Sequence, residues 1–203
     1  FLKPCRSACR IRRSVKIYNL MPIKSMAVFC GSQNGKEEVF VQEAKRLGLW
    51  MASKSIKLVY GGGNVGLMGA VANAVMDNGG TVTGVIPRIL DSRERSHKGL
   101  TELLVVENMH VRKMKMYELC DAAAILPGGY GTLDELFEMI TWNNLSIHDK
   151  PIYIININGF YDHLLLHIQT MLYNGFLYEN PMRNITVVKT VEELVLLPEL
   201  SEG

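Results

Sequence analysis

Seven short apolar runs recur along the chain: Met26 to Cys30, Lys57 to Tyr60, Thr81 to Ile86, Leu103 to Glu107, Ala122 to Leu126, Pro151 to Asn156 and Ile185 to Val188. Segments of helix length separate most of them. A strand that is apolar almost without interruption must be covered on both faces, which is the condition of a parallel sheet in an α/β protein. Right-handed crossovers then predict a doubly wound, Rossmann-like parallel sheet with helices on both faces, in a single domain. With 203 residues and 48% hydrophobic composition, the chain has enough apolar side chain for one such core.

Charge divides the chain unevenly. Lys3, Arg6, Arg10, Arg12, Arg13, Lys16 and Lys24 precede Met26 with no acidic residue before Glu37, and setting those 7 aside from 22 leaves 15 basic against 20 acidic residues. An acidic body gives little support to nucleic-acid binding, and a small anionic ligand fits better. Residues 1–25 read as a basic leader outside a folded body at 26–203, either a disordered tail or a non-native extension. A transit peptide is the alternative, and Met21 or Met26 an alternative start. No run reaches the ~18 to 20 apolar residues of a membrane span, so a soluble cytoplasmic protein without a membrane partner is expected. Cys5, Cys9, Cys30 and Cys120 lack paired metal-ligand spacing and read as structural thiols. His163 and His167 stand four apart but without an acid between them, so no metal and no cofactor is expected.

Three of the strand runs end in glycine turns: Gly31-Ser32-Gln33-Asn34-Gly35, Gly61-Gly62-Gly63-Asn64-Val65-Gly66 and Gly128-Gly129-Tyr130-Gly131. A parallel sheet brings all three to its carboxyl edge, where ligands of open α/β folds bind. Glycine lets backbone approach a ligand, and a following helix N-terminus favours an anion. Tight strand-helix packing is the competing explanation for any one turn. Gly61-x-Gly63-x-x-Gly66 spells the dinucleotide fingerprint, but the next strand ends in Ile86-Pro87-Arg88 without the acid that a ribose needs. A mononucleotide is the better guest. The polar stretch Pro87 to Gly99 reads as a cover for the site or as a solvated connection.

Two residues have the chemistry for more than binding. On a helix from Met109 to Cys120, the spacing puts Met109, Arg112, Lys113, Met116 and Cys120 on one stripe, so Arg112 needs an anionic partner or must reach solvent. Glu135 follows the third glycine turn. Thr132-x-x-Glu135 matches a capping box, yet a phosphate on the helix N-H groups would free that carboxylate to face a sugar. Both readings stay open on spacing alone. Asp134 points about 100° away on the helix and is a poor second acid. Met68, Met109 and Trp142 are candidates to pack a purine or to fill the core.

Met109-His110-x-Arg112-Lys113 together with Pro127-Gly128-Gly129-Tyr130-Gly131-Thr132-x-x-Glu135 resembles the LOG family of nucleoside 5′-monophosphate phosphoribohydrolases. Phe29-Cys30-Gly31-Ser32 and Tyr60-Gly61-Gly62-Gly63-x-x-Gly66-Leu67-Met68-Gly69 extend the similarity, which runs from about Met26 to Leu197. The resemblance implies hydrolysis of the bond between adenine, or an N6-modified cytokinin-type adenine, and ribose 5′-monophosphate. It implies Arg112 and Glu135 as the catalytic pair, and Gly128, Gly129, Gly131 and Thr132 around the phosphate. Gly31, Ser32, Gly62 and Lys113 become further nucleotide contacts, and a homodimer is implied. The alternatives are a non-catalytic nucleotide or molybdenum-cofactor carrier on the same fold, and the lysine-decarboxylase label attached to related sequences. That last reaction needs a Schiff-base lysine that the sequence does not single out.

Overall fold

The computed structural model describes residues 22–91, 96–177 and 182–201. Most of the leader, and Ser92 to Arg95 of the polar stretch, lie outside them. Seven parallel strands form one sheet: β1 (Ser25–Phe29), β2 (Lys57–Tyr60), β3 (Val82–Pro87), β4 (Glu102–Val106), β5 (Ala122–Ile125), β6 (Ile152–Ile155) and β7 (Ile185–Val188). Each lies within about two residues of an apolar run in the sequence. The helices are α1 (Glu38–Ser53), α2 (Gly66–Asp77), α3 (Arg88–Asp91), α4 (Met109–Leu119), α5 (Tyr130–Asn144), α6 (Asp162–Tyr173), α7 (Val191–Val195) and α8 (Pro198–Ser201).

Strand order is β4-β3-β2-β1-β5-β6-β7. The chain winds outward from β1 to β4, then returns to the other side of β1 to lay down β5. Strand alternation sends successive side chains to opposite faces and so builds two cores. Met26, Val28 and Cys30 of the β1 region face α1, α2 and α7, meeting Phe40, Leu47, Val71 and Leu194. Ala27 and Phe29 face α4 and α5, meeting Met116, Tyr117, Leu136 and Met139. Every residue of β1, β5 and β6 is buried, whereas the edge strands β4 and β7 keep exposed positions, as continuous apolar runs in the middle of a covered sheet require.

Winding reverses at β1 and β5, so the crevice between their carboxyl ends is the place where this topology accepts a ligand. No helix among the described residues is long and apolar enough to cross a membrane.

Candidate active site

All three glycine turns meet at that crevice. Gly31 donates its N-H to the Pro127 carbonyl at 3.0 Å, and its own carbonyl accepts from Leu67 N-H at 3.1 Å. One residue thus ties the turns after β1, β2 and β5 together. A methyl group on Gly31 would lie 3.4 Å from the Gly128 Cα, so glycine there serves close backbone packing. Ser32 is exposed on the rim of the same turn.

The fingerprint-like turn after β2 has a role of its own. A methyl group on Gly61 would overlap the Arg112 guanidinium, so the missing side chain is what admits Arg112. Gly62 has φ +76°, is buried, and its carbonyl accepts from His97 N-H at 2.9 Å. Gly63 bridges to Ser96, and Gly66, at φ +63°, lies against the Ser32 backbone. The family resemblance implies Gly62 as a nucleotide contact; in the structure Gly62 is buried, next to the returning end of the Pro87 to Gly99 stretch at His97. His97 accepts Gly99 N-H at Nδ1, which puts its proton on Nε2, facing Asn73 Oδ1 at 2.8 Å. Burial lowers its pKa and favours this neutral form.

Arg112 is the centre of the arrangement. Asn108 caps α4 by accepting Val111 N-H at 3.0 Å, which fixes the first turn and the direction of the Arg112 side chain. Arg112 is only 9% exposed. Its Nη1 donates to Glu135 Oε1 at 2.8 Å, and its Nε to the Val85 carbonyl at 3.0 Å. A snorkelling arginine is excluded. The predicted stripe holds for Arg112, Met116 and Cys120, but Met109 is 44% exposed at the first helical position and Tyr117 is buried in its stead. Burial here follows where the sheet ends, not helical period alone.

The capping box does not form. Gly129 is the N-cap of α5 and the helix begins at Tyr130, three residues ahead of the apolar periodicity, so Thr132 is already inside the first turn. Glu135 is therefore the sixth helical residue, too far along to reach the cap N-H. Thr132 instead packs against Gly128, where a methyl group would overlap its hydroxyl. Among the described residues no side chain caps α5, unlike α4 and α7. Methyl groups on Gly129 or Gly131 would meet nothing within 4 Å. Internal packing does not require glycine at either position, and the space above this uncapped N-terminus is open to an anion.

Burial pushes the Glu135 carboxyl above the ordinary carboxylate range, while the Arg112 charge and hydrogen bond pull against that rise. The Cys30 thiol is pushed up by burial and by the nearby Glu135 charge, which keeps it protonated. Lys113 faces α5 and pairs with Glu138 at 2.9 Å and Asp134 at 3.1 Å. Burial pulls its pKa down, but bonding to those two carboxylates outweighs burial and raises it. Sequence reasoning did not single out Asn108, Glu138 or Tyr117. Asn108 was legible as a cap residue directly before an apolar-periodic segment. Trp142 packs edge-to-face against Tyr117 with ring centroids 4.5 Å apart, which identifies it as packing, whereas Met68 faces the Gly61 end of the Arg112 pocket. His163 and His167 are both exposed on α6.

An open α/β protein with an uncapped, glycine-lined helix N-terminus at its switch point and a buried Arg-Glu pair beside it is equipped to hold an anionic nucleotide. Residues 68–197 match a family model described as "Possible lysine decarboxylase". The cytokinin riboside 5'-monophosphate phosphoribohydrolase of Rhodococcoides fascians is 45% identical over 83% of this chain and 86% of its own length. The enzyme of that name called LOG in Oryza sativa subsp. japonica is 44% identical over 89% of this chain and 76% of its own. The chain belongs to this LOG family. Among solved structures, the molybdenum cofactor binding protein of Rippkaea orientalis superposes with a TM-score of 0.65 at 17% identity, covering 86% of this chain and 94% of that one. The carrier protein for this cofactor from Chlamydomonas reinhardtii gives 0.62 at 15%, covering 84% and 92%. At such identity these two share the fold.

Proposed function

We propose that this protein hydrolyses the N-glycosidic bond of a purine nucleoside 5′-monophosphate, releasing the free base and ribose 5-phosphate. The observation that carries the reading is the buried Arg112-Glu135 pair beside the open N-terminus of α5. The substrate phosphate sits on the N-H groups of the Gly128 to Thr132 segment, with Gly31 and Ser32 on the opposite wall, and this sets the ribose over Glu135. As the bond breaks, its electron pair leaves with the base, which takes up a proton, and C1′ becomes oxocarbenium-like. The Glu135 carboxylate stabilises that charge or draws a proton from the water whose oxygen bonds to C1′. Arg112 keeps Glu135 anionic against the effect of burial and orients it. The relatives' names support a cytokinin riboside 5′-monophosphate as substrate, and AMP is proposed beside it as the nucleotide with unmodified adenine. A cytoplasmic homodimer is proposed with it, and free thiols at Cys30 and Cys120 agree with a reducing compartment.

The lysine-decarboxylase description fits the site less well. A Schiff-base lysine needs a lowered pKa, and Lys113, adjacent to Arg112, is moved the opposite way by two carboxylates. A carrier would have no use for a buried carboxylate held by arginine. The test is base release from AMP and N6-prenyl AMP by the wild type and by Glu135→Gln. Glutamine still accepts the Arg112 bond, so the fold and nucleotide binding persist while kcat falls about 10²–10³-fold. No release by the wild type from any nucleoside monophosphate refutes the proposal; normal turnover by the variant removes Glu135 from it.

A further inference from the structure

Helices α4 and α5, which carry Arg112 and Glu135, are joined below that pair by a second polar contact. Tyr117 is 2% exposed, and its hydroxyl lies 3.2 Å from the backbone carbonyl of Glu135 itself and 3.2 Å from Glu138 Oε2. A phenol has one proton, so it shares its bond between these two acceptors. Glu138 Oε2 also takes Lys113 Nζ at 2.9 Å. Lys113 and Tyr117 stand four apart on α4, as do Asp134 and Glu138 on α5, so each helix presents one side-chain stripe to the other. The Tyr117 ring packs edge-to-face against Trp142, and its carbonyl accepts from Lys150 Nζ. A buried hydroxyl aimed at the backbone of the reacting carboxylate's own residue does more than pack.

We propose that Tyr117 is a positioning residue: with Glu138 and Lys113 it fixes the distance and rotation of α5 against α4, and so the angle at which Arg112 holds the Glu135 carboxylate. Its kinetic consequence rests on the function proposed above. Its effect on the ionisation of Glu135 does not. The charged and titratable groups facing Glu135 are Arg112, Lys113 and Tyr117 from α4, Asp134 from its own helix, and the Cys30 thiol at the end of β1. Of the groups that hold its pKa down, the Arg112 guanidinium acts most strongly. Loosening the clamp weakens that effect and leaves burial in force, so the carboxyl should titrate at higher pH.

Tyr117→Phe removes the hydroxyl and keeps the ring against Trp142. The full chain, labelled with ¹³C at the glutamate carboxyl, is titrated by NMR, with the Glu135 signal assigned by its loss in Glu135→Gln; kcat and KM for AMP are measured in parallel. Expected are a Glu135 titration moved to higher pH, a kcat about tenfold lower and a KM within about twofold of wild type, since small misplacements of a reacting group act on turnover. Glu138→Ala should act in the same direction, and Glu138→Gln, which still accepts from Tyr117 and Lys113, should recover most of the loss. An unchanged Glu135 titration in Tyr117→Phe overturns the proposal, whatever happens to the melting temperature. Should that variant not fold, the two Glu138 variants decide on the same readouts. Should the wild type release no base, the function proposal fails, and the titration alone decides this one.

Discussion

Replacing Arg112 by alanine removes the 2.8 Å bond to Glu135 and the 3.0 Å bond to the Val85 carbonyl, around a carboxylate residue only 8% exposed. The Val85 carbonyl loses its donor in the interior, a cost of about 1–3 kcal/mol that does not vary with pH. The unpaired Glu135 carboxylate adds a second cost, from which it escapes by binding a proton. Protonation caps that cost at about 1.4 kcal/mol per pH unit above the ordinary glutamate value near ~4.3, hence about 3.7 kcal/mol at pH 7 and about 1 kcal/mol at pH 5. The sign follows from the raised pKa of Glu135, which removal of Arg112 raises further. Above ~4.3 the folded state keeps a proton that the unfolded chain releases, so stability is lost as pH rises through the window between the unfolded and folded values. The expected destabilisation relative to wild type is at most about 5–7 kcal/mol at pH 7 and about 2–4 kcal/mol at pH 5. Against a typical total of about 5–15 kcal/mol, the variant should be close to unfolded at neutral pH and recover on mild acidification. Urea denaturation at pH 5, 6 and 7, followed by tryptophan fluorescence, measures it. An equal loss at all three values, or a larger one at pH 5, refutes the account of Glu135 as a buried anion held by Arg112.

Gly61→Ala places a methyl group in the Arg112 guanidinium, so turnover should fall about 100-fold as the pair is displaced; wild-type kcat in this variant would show that Gly61 does not admit Arg112. Gly129→Ala meets nothing in the folded chain and loses only a preferred N-cap residue, so thermal denaturation should show a melting temperature lower by no more than about 2–4 °C while KM for AMP rises about tenfold; a KM equal to wild type would take the phosphate away from this helix end. The acid limb of the kcat/KM profile should lie above the ordinary glutamate range, with activity lost as pH falls through the raised Glu135 value, and an acid limb at or below ~4.3 would contradict it.

The sheet was legible because its strands are apolar on both sides, and that property is written residue by residue in Ala122 to Leu126 or Pro151 to Asn156. The convergence of the glycine turns followed from parallel topology, which puts every strand-to-helix turn at one edge. The capping box stayed open on spacing alone, and the structure closes it for an equally physical reason. Thr132 and Glu135 have the right spacing, but the helix start is decided by Gly129, whose extended backbone ends the turn three residues earlier than the apolar pattern begins.

By itself, the sequence determined the doubly wound α/β class, the sheet edge at which the glycine turns gather and the family to which the chain belongs, because burial pattern, turn residues and local motifs are properties of short stretches. Only the tertiary structure decided which partner each charged side chain takes. Arg112 meets Glu135 across 23 residues, Lys113 meets Asp134 and Glu138, and Gly61 is bare to make room for Arg112. Those pairings depend on how α4 and α5 cross the same sheet, and helical period states which face a residue occupies without stating what stands opposite.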